Sequence, residues 1–348
     1  MRAAVLHDAR DLRIEEVPDP VPGAGEVLLR PRFTGLCGSD LHFWEGGLRE
    51  VVRDPIILGH EFSAEVVEAG PGVDDPAIRP GALVAVEPMW TCGVCGPCRR
   101  GTYNFCRNMV WHGLSPKGGG MSDLTVVRAS MVHVLPESLT AMQGALVEPV
   151  SVAHHCVTRA QVGPGGTALV LGAGPIGIAA YLDLRARGVE RVIVSEPSAE
   201  RRAAIGKLAE LTGGGADLVL DPAAGDVVAA VRELTGGEGV DASIDAAGVE
   251  PAFHAGLGAT RPGGRMVTVA VYMKPVAFHP MAAFLGGVDI VPSCAYCNDF
   301  PAVIDGMATG SYPLDGWVRP IPLEQTAAGF AALERGTELK LLVDVQGS

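Results

Sequence analysis

The sequence predicts an α/β protein in which a doubly wound parallel sheet is inserted into a mostly-β lobe. At 348 residues the chain exceeds one ordinary core, because domains hold about 100 to 200 residues, so two domains are expected. From Thr167 onward, apolar strand-like runs alternate with helical stretches at the spacing of a parallel sheet. Before that point, runs such as EVLLRPRF and FSAEVVEAG are broken by PGAG, GPG and RPG, as in a lobe of short strands and turns. The expected division is residues 1–149, 150–296 and 297–348, with the first and last parts forming one domain.

The parallel sheet is the more legible half. A buried strand over 168–171 runs into Gly172-Ala-Gly174-Pro-Ile-Gly177, then into a helix ending near Gly188. A second strand, 191–195, ends in Glu196. This is the context in which a GxGxxG turn binds a dinucleotide. Gly172 permits the tight turn, Gly174 the approach of backbone to pyrophosphate, and Gly177 the packing of helix on strand. Pro175 and Ile176 belong to the same cofactor-binding turn. Glu196 is expected to accept from the adenosine ribose and to repel a 2′-phosphate, which favours NAD, while Arg201 offers a cation that softens the preference. The alternation continues with a helix near 199–211, a strand at 218–220, a helix near 226–234 and a strand at 242–245. A helical stretch before TRPGG (260–264) and a strand at 265–270 complete it.

In the lobe, Cys92, Cys95, Cys98 and Cys106 are separated by two, two and seven residues, with Gly93, Gly96 and Pro97 letting the loop curl. Four converging thiolates suit tetrahedral zinc at about 2.3 Å. A bacterial ferredoxin cluster needs three residues before its fourth cysteine and a proline after it, whereas here seven intervene and Arg107 follows. Such a site is closed and supports structure, so chemistry must lie elsewhere. The remaining cysteines, Cys37, Cys156, Cys294 and Cys297, are scattered. Reduced thiols and metal ligation fit them better than a disulfide framework. Cys294 and Cys297 have no second pair nearby, so packing within a strand is expected for them.

A hydrophobic fraction of 48% and a net charge of −13 suit a soluble protein and argue against nucleic acid as a partner. Beyond Arg99 and Arg100 no basic stripe supports a zinc-ribbon nucleic-acid module. The N-terminus MRAAVLHDAR has no apolar signal core, and TALVLGAGPIGIAAYL is shorter than the roughly 18 to 20 residues of a membrane span. A cytoplasmic protein without membrane contact is expected.

GLCGSDLHFW (35–44), LGHEFSAEVVEAGPGV (58–73), VEP (86–88), GALVEPVSVAHH (144–155), the cysteine cluster, GAGPIG, TRPGG and SCAYCNDFPAVI (293–304) together span nearly the whole chain. In this combination the chain resembles the zinc-dependent medium-chain alcohol dehydrogenases, in the sorbitol and 2,3-butanediol dehydrogenase branch. The resemblance implies a GroES-like catalytic domain, a Rossmann domain, NAD, two zinc ions per chain and a dimer or tetramer. It implies that Cys37, His60 and a carboxylate hold a catalytic zinc, with Glu61 and Glu148 both candidates for that carboxylate. It also implies a proton relay through Ser39 and His42, with Glu61 counted among the catalytic residues.

The implied reaction moves a hydride from a secondary alcohol of a diol or polyol to NAD. L-threonine 3-dehydrogenase and a non-catalytic nucleotide-binding protein of the same fold are the alternatives. Threonine would need a cation for its carboxylate, and Arg49 and Arg53 are the nearest. The segment 43–55 is expected to wall the substrate cleft, with Phe43 and Trp44 supplying apolar surface and Trp90 and Trp111 adding to it.

Overall fold

The computed structural model describes residues 1–47, 55–213 and 218–347. It divides into two compact units, one of residues 1–148, 300–308 and 317–348, the other of residues 149–299 and 309–316.

The first unit is built mainly from antiparallel strands, as its short apolar runs and frequent turns demand. Its larger sheet places Val132–Val134, Leu83–Val86, Glu61–Ala69, Glu26–Gly35, Lys340–Asp344 and Val318–Pro322 side by side, with Thr125–Arg128 also paired to Glu26–Gly35. The last two of those six strands come from the C-terminal part of the chain, so the sheet joins segments from both sides of the intervening unit. A smaller sheet joins Asp11–Glu16, Arg2–Asp8 and Ile56–Ile57.

Among the described residues, two apolar cores lie in this unit. One gathers Leu36, Phe43, Trp44, Phe330 and Leu341, and the Trp44 and Phe330 rings stack at 5.8 Å between centroids. The other gathers Phe62, Val84, Trp90 and Val127. Phe43 and Trp44 are therefore core residues and not the apolar wall expected of them. Burying each removes apolar surface from water, worth about 1.5 to 3 kcal/mol per side chain. Trp90 is likewise buried, with the Lys117 and Arg128 cations over its ring, while Trp111 is half-buried. Arg49 and Arg53 lie outside the described residues.

The second unit holds a six-stranded parallel sheet in the order Leu218–Leu220, Arg191–Ser195, Thr167–Leu171, Val240–Asp245, Thr260–Thr268 and Asp289–Pro292. The order reverses at Thr167–Leu171, the point where doubly wound sheets bind ligands at their carboxyl ends. Helices begin where the sequence offers caps: Pro175 takes the first turn of Pro175–Ala186, Ser198 accepts from Arg201 N at the head of Ala199–Leu211, and Asp226 accepts from Val228 N and Ala229 N. TRPGG is part of the strand, which runs Thr260–Thr268 and so begins at Thr260 instead of the expected Arg265. Its pairing with Val240–Asp245 is irregular between Val240 and Ala242, which accommodates the proline and glycines.

A buried polar node secures the unit's C-terminal return. Asp183 Oδ1 accepts from Tyr312 Oη at 2.5 Å and faces His154 Nδ1 at 2.9 Å, while Oδ2 accepts from Arg187 Nε at 2.7 Å. Burial opposes a charged Asp183, yet His154 and Arg187 outweigh it and hold the carboxyl below its usual range. Cys294 and Cys297 fall in the irregular segment between Asp289–Pro292 and helix Phe300–Ala308, with Cys294 exposed. The expected strand packing is not found, because Asp299 draws that backbone into a turn by accepting from Cys297 N at 2.7 Å. Among the described residues, no helix is long and apolar enough to cross a membrane.

Candidate active site

Strand Glu26–Gly35 delivers Leu36 and Cys37 to the start of helix Gly38–Trp44, and Gly59 delivers His60 and Glu61 to the start of strand Glu61–Ala69. The two strands are paired with Gly35 opposite Glu61. That register brings together residues more than twenty positions apart. A left-handed φ of 101° at Gly59 turns the chain, and a Cβ there would collide with the Thr34 side chain, so glycine is needed on both counts.

The result is a compact donor set. One ligand atom from each of Cys37, His60 and Glu61 lies within 4.8 Å of the others. Ser39 Oγ donates to Cys37 Sγ at 3.2 Å and lies 3.3 Å from His60 Nε2. Asp40 accepts from Cys37 N at 3.0 Å through one oxygen and faces His60 Nδ1 at 3.2 Å with the other. Burial disfavours a charged His60, but Asp40 and Cys37 overcome it and raise its pKa well above the usual value. A thiol, an imidazole and a carboxylate that draw positive charge into a buried space fit a borderline cation such as zinc.

His42 lies one turn beyond Ser39 on the same helix, partly exposed, with Nδ1 3.7 Å from Glu45 Oε2. Glu148 is buried near the start of helix Val147–Ala160 but is not part of the three-residue donor group. Sequence reading missed Asp40 and Lys340. Asp40 follows Cys37 by three residues, the reach of a side chain capping its own helix, and that spacing was visible. Lys340 was not, because its partner Glu61 lies 279 residues away.

The second donor set is Cys92, Cys95, Cys98 and Cys106, whose sulfurs also lie within 4.8 Å of one another. Cys95 Sγ stands 3.4 Å from Cys98 Sγ and 4.0 Å from Cys106 Sγ. These separations bracket the edge of about 3.8 Å that a tetrahedron with zinc–sulfur bonds of about 2.3 Å requires. They are far from the roughly 2.05 Å of a disulfide. The backbone N–H groups of Cys98 and Arg107 pull the Cys95 thiol down to about 6, whereas desolvation and neighbouring sulfur push Cys98 up to about 12. Four thiols crowded this way cannot all ionise without a cation.

In the second unit, Gly172, Gly174, Ser195, Glu196, Arg201 and Ala247 line a cavity of about 420 Å³. The three glycines have separate reasons. Gly172 takes a left-handed φ of 91°, a Cβ on Gly177 would collide with the Gly172 carbonyl, and one on Gly174 would meet only the Arg201 guanidinium, at 3.9 Å. The space above Gly174 is thus open to a ligand. Pro175 and Ile176 open the following helix, half-buried. Glu196 is buried and accepts from Ala173 N at 2.7 Å and Ser198 N at 2.8 Å, while Arg201 Nε has no hydrogen-bond partner. Asp245 organises the neighbouring turn, accepting from Ala247 N and Gly248 N through one oxygen and from Tyr272 Oη at 2.5 Å through the other.

Residues 23–137 match the alcohol dehydrogenase GroES-like domain, and residues 175–309 match the zinc-binding dehydrogenase domain. The chain belongs to the zinc-binding alcohol dehydrogenase family. This dehydrogenase is 35% identical to human sorbitol dehydrogenase, over 97% of its own length and 94% of the relative's. It is 33% identical to (R,R)-butanediol dehydrogenase of Neisseria gonorrhoeae, over 99% of each. Its fold matches the crystal structure of 2R,3R-butanediol dehydrogenase from Bacillus subtilis with a TM-score of 0.88 at 33% identity, covering 99% of both chains. It also matches a zinc-binding dehydrogenase of Sinorhizobium meliloti bound to NADP, with a TM-score of 0.91 at 30% identity, covering 99% of this chain and 98% of that one. The mostly-β, GroES-like domain and the Rossmann sheet are those of this family.

Proposed function

We propose that this dehydrogenase oxidises one secondary hydroxyl of a compact diol or polyol with NAD, and that it holds one structural and one catalytic zinc. The convergence of Cys37, His60 and Glu61 carries the reading, since a closed four-cysteine site alone would support structure without chemistry. We assign the catalytic zinc to Cys37, His60 and Glu61, with Glu148 as the nearby reserve carboxylate, and the structural zinc to Cys92, Cys95, Cys98 and Cys106. Zinc at the catalytic site supplies the Lewis acidity that brings a substrate hydroxyl toward ionisation at neutral pH.

The chain's own residues do the rest. Asp40 lies against His60 Nδ1 at 3.2 Å as its charge partner, and Nε2 is left to the side of the donor set, 3.3 Å from Ser39 Oγ. Ser39 takes the hydroxyl proton, being within hydrogen-bond distance of two of the donors. His42 passes it to solvent, a task that suits an imidazole with part of its ring in water. A nicotinamide held by the glycine turn and Glu196 would accept the hydride from the alcohol carbon, the alcohol becoming a ketone, NAD becoming NADH and one proton being released through Ser39 and His42.

Glu196 supports NAD as the preferred cofactor, because its carboxylate lies in the cavity that takes the adenosine end, and Arg201 on the same cavity leaves some use of NADP. Relatives named for sorbitol and butanediol support a substrate with adjacent hydroxyls. The family likeness supports a cytoplasmic dimer or tetramer. The test is NADH formation at 340 nm with 2,3-butanediol stereoisomers, sorbitol, xylitol, L-threonine and simple alcohols. Diols or polyols should have the highest kcat/KM, and a preference for L-threonine would overturn the substrate assignment.

A further inference from the structure

Lys340 is 1% exposed, among the most buried polar side chains of the chain. Lysine is almost never buried to this extent without a partner, because removing an ammonium from water is costly. The partner is Glu61, itself 1% exposed. The ammonium donates to Glu61 Oε2 and, at 3.0 Å, to the Leu36 carbonyl, the residue next to Cys37. Gly35 makes the contact possible, since a Cβ there would collide with the Glu61 carboxylate and press on Lys340 Cε at 3.1 Å. The C-terminal strand that carries Lys340 pairs with the strand that ends at Gly35, so the cation is built into the sheet.

We propose that Lys340 is a positioning residue that competes with the catalytic metal for the Glu61 carboxylate, keeping Glu61 an exchangeable ligand. This rests on the reading that Cys37 and His60 hold a metal. Glu61 cannot give its full charge to the ammonium and to a divalent cation at once, and both lie within reach of one carboxylate. In metal-free protein the contact with Lys340 holds the Glu61 carboxylate in place. With a metal bound, the same pair would weaken the carboxylate as a ligand and leave it open to exchange for another oxygen donor.

Linkage fixes the direction of the test. Without Lys340 the buried Glu61 charge is uncompensated in the apo protein, so a metal ion stabilises that protein more than it stabilises the wild type. Lys340→Met, and Lys340→Gln as the variant that keeps hydrogen-bond donors, should lower the apo Tm and tighten cobalt(II) at this site by about tenfold or more. Affinity is read by competition with a chromogenic chelator, and the ligand set by the cobalt visible spectrum, which should shift as Glu61 binds more strongly. Lys340→Arg should restore both toward wild type. The gain should vanish in Lys340→Met/Glu61→Gln. Unchanged or weaker cobalt binding in both neutral variants, or a gain that survives in the double variant, would overturn the proposal. Cys37→Ser separates this from failure of the site itself: it should cost one of two cobalt equivalents, and retention of both would sink the site assignment instead.

Discussion

Asp40 faces His60 Nδ1 at 3.2 Å from a position with no exposed surface. The same carboxylate accepts from Cys37 N at 3.0 Å, so one side chain touches both residues proposed as metal donors. Partners of this kind set ring orientation and ligand basicity, and their loss typically costs 10- to 100-fold in metal affinity or activity. Asp40→Asn keeps the shape and a single acceptor, and should lower cobalt affinity at this site by about tenfold. Asp40→Ala should lower it by about a hundredfold. Chelator competition on purified protein checks both, and an Asp40→Ala variant with wild-type affinity would refute the role.

The two donor sets should separate chemistry from stability. Cys37→Ser removes a donor from the open site and should reduce kcat/KM by about a thousandfold with little change in Tm. Cys95→Ser breaks the closed cluster, where metal binding is folding free energy, and should lower Tm by about 10 °C in zinc-loaded protein. Calorimetry and steady-state kinetics on both variants decide the matter. A Cys37→Ser enzyme that retains most of its activity would remove the catalytic assignment.

What could be read from the sequence was whatever depends on neighbours along the chain. The glycine turn, its flanking strands and Glu196 lie within one βαβ unit, and the cysteine cluster within one loop, so local spacing revealed both. What escaped depends on distant packing. Phe43 and Trp44 follow the relay residues and look available to a cleft, yet the C-terminal Phe330 covers Trp44. Lys340 in LKLLVDV reads as a solvated strand residue until Gly35 and Glu61 are placed beside it. The strand Asp289–Pro292 is short and weakly apolar, and only the Thr260–Thr268 edge it pairs with makes it a strand.

His112 should give folding a measurable dependence on acid. It is fully buried against Phe62 and Trp90, with Nε2 2.8 Å from Thr125 Oγ1, and burial pushes its pKa down to about 3. The unfolded chain binds its proton near pH 6.5 and the folded chain does not, so the stabilisation is complete above that value and is lost as pH falls toward 3. At pH 5 the loss should be about 2 kcal/mol. Urea unfolding at pH 7.5 and pH 5 for wild type and His112→Gln isolates it, because contributions from other groups cancel in the double difference. An identical pH response in the two proteins would refute the prediction.

Glu196 should govern cofactor choice at a cost in stability, because it has two duties. Its oxygens accept from Ala173 N and Ser198 N, which tie the glycine turn to the head of helix Ala199–Leu211. Its charge lies on the cavity shared with Arg201, whose Nε lacks a hydrogen-bond partner. Glu196→Gln keeps one acceptor and sets an amide N–H₂ against one of the two backbone donors, leaving a buried group unsatisfied at about 1 to 3 kcal/mol. Removing the charge also removes the repulsion toward a 2′-phosphate and leaves Arg201 free to pair with it. The ratio of kcat/KM for NAD over NADP should therefore fall by about tenfold or more in Glu196→Gln. It should rise above the wild-type value in Arg201→Ala, where only the carboxylate remains. Steady-state kinetics with both cofactors on the three proteins separate the two residues. A wild type that prefers NADP, or a ratio insensitive to Glu196→Gln, would remove Glu196 from the ribose and leave it only its structural duty at the turn.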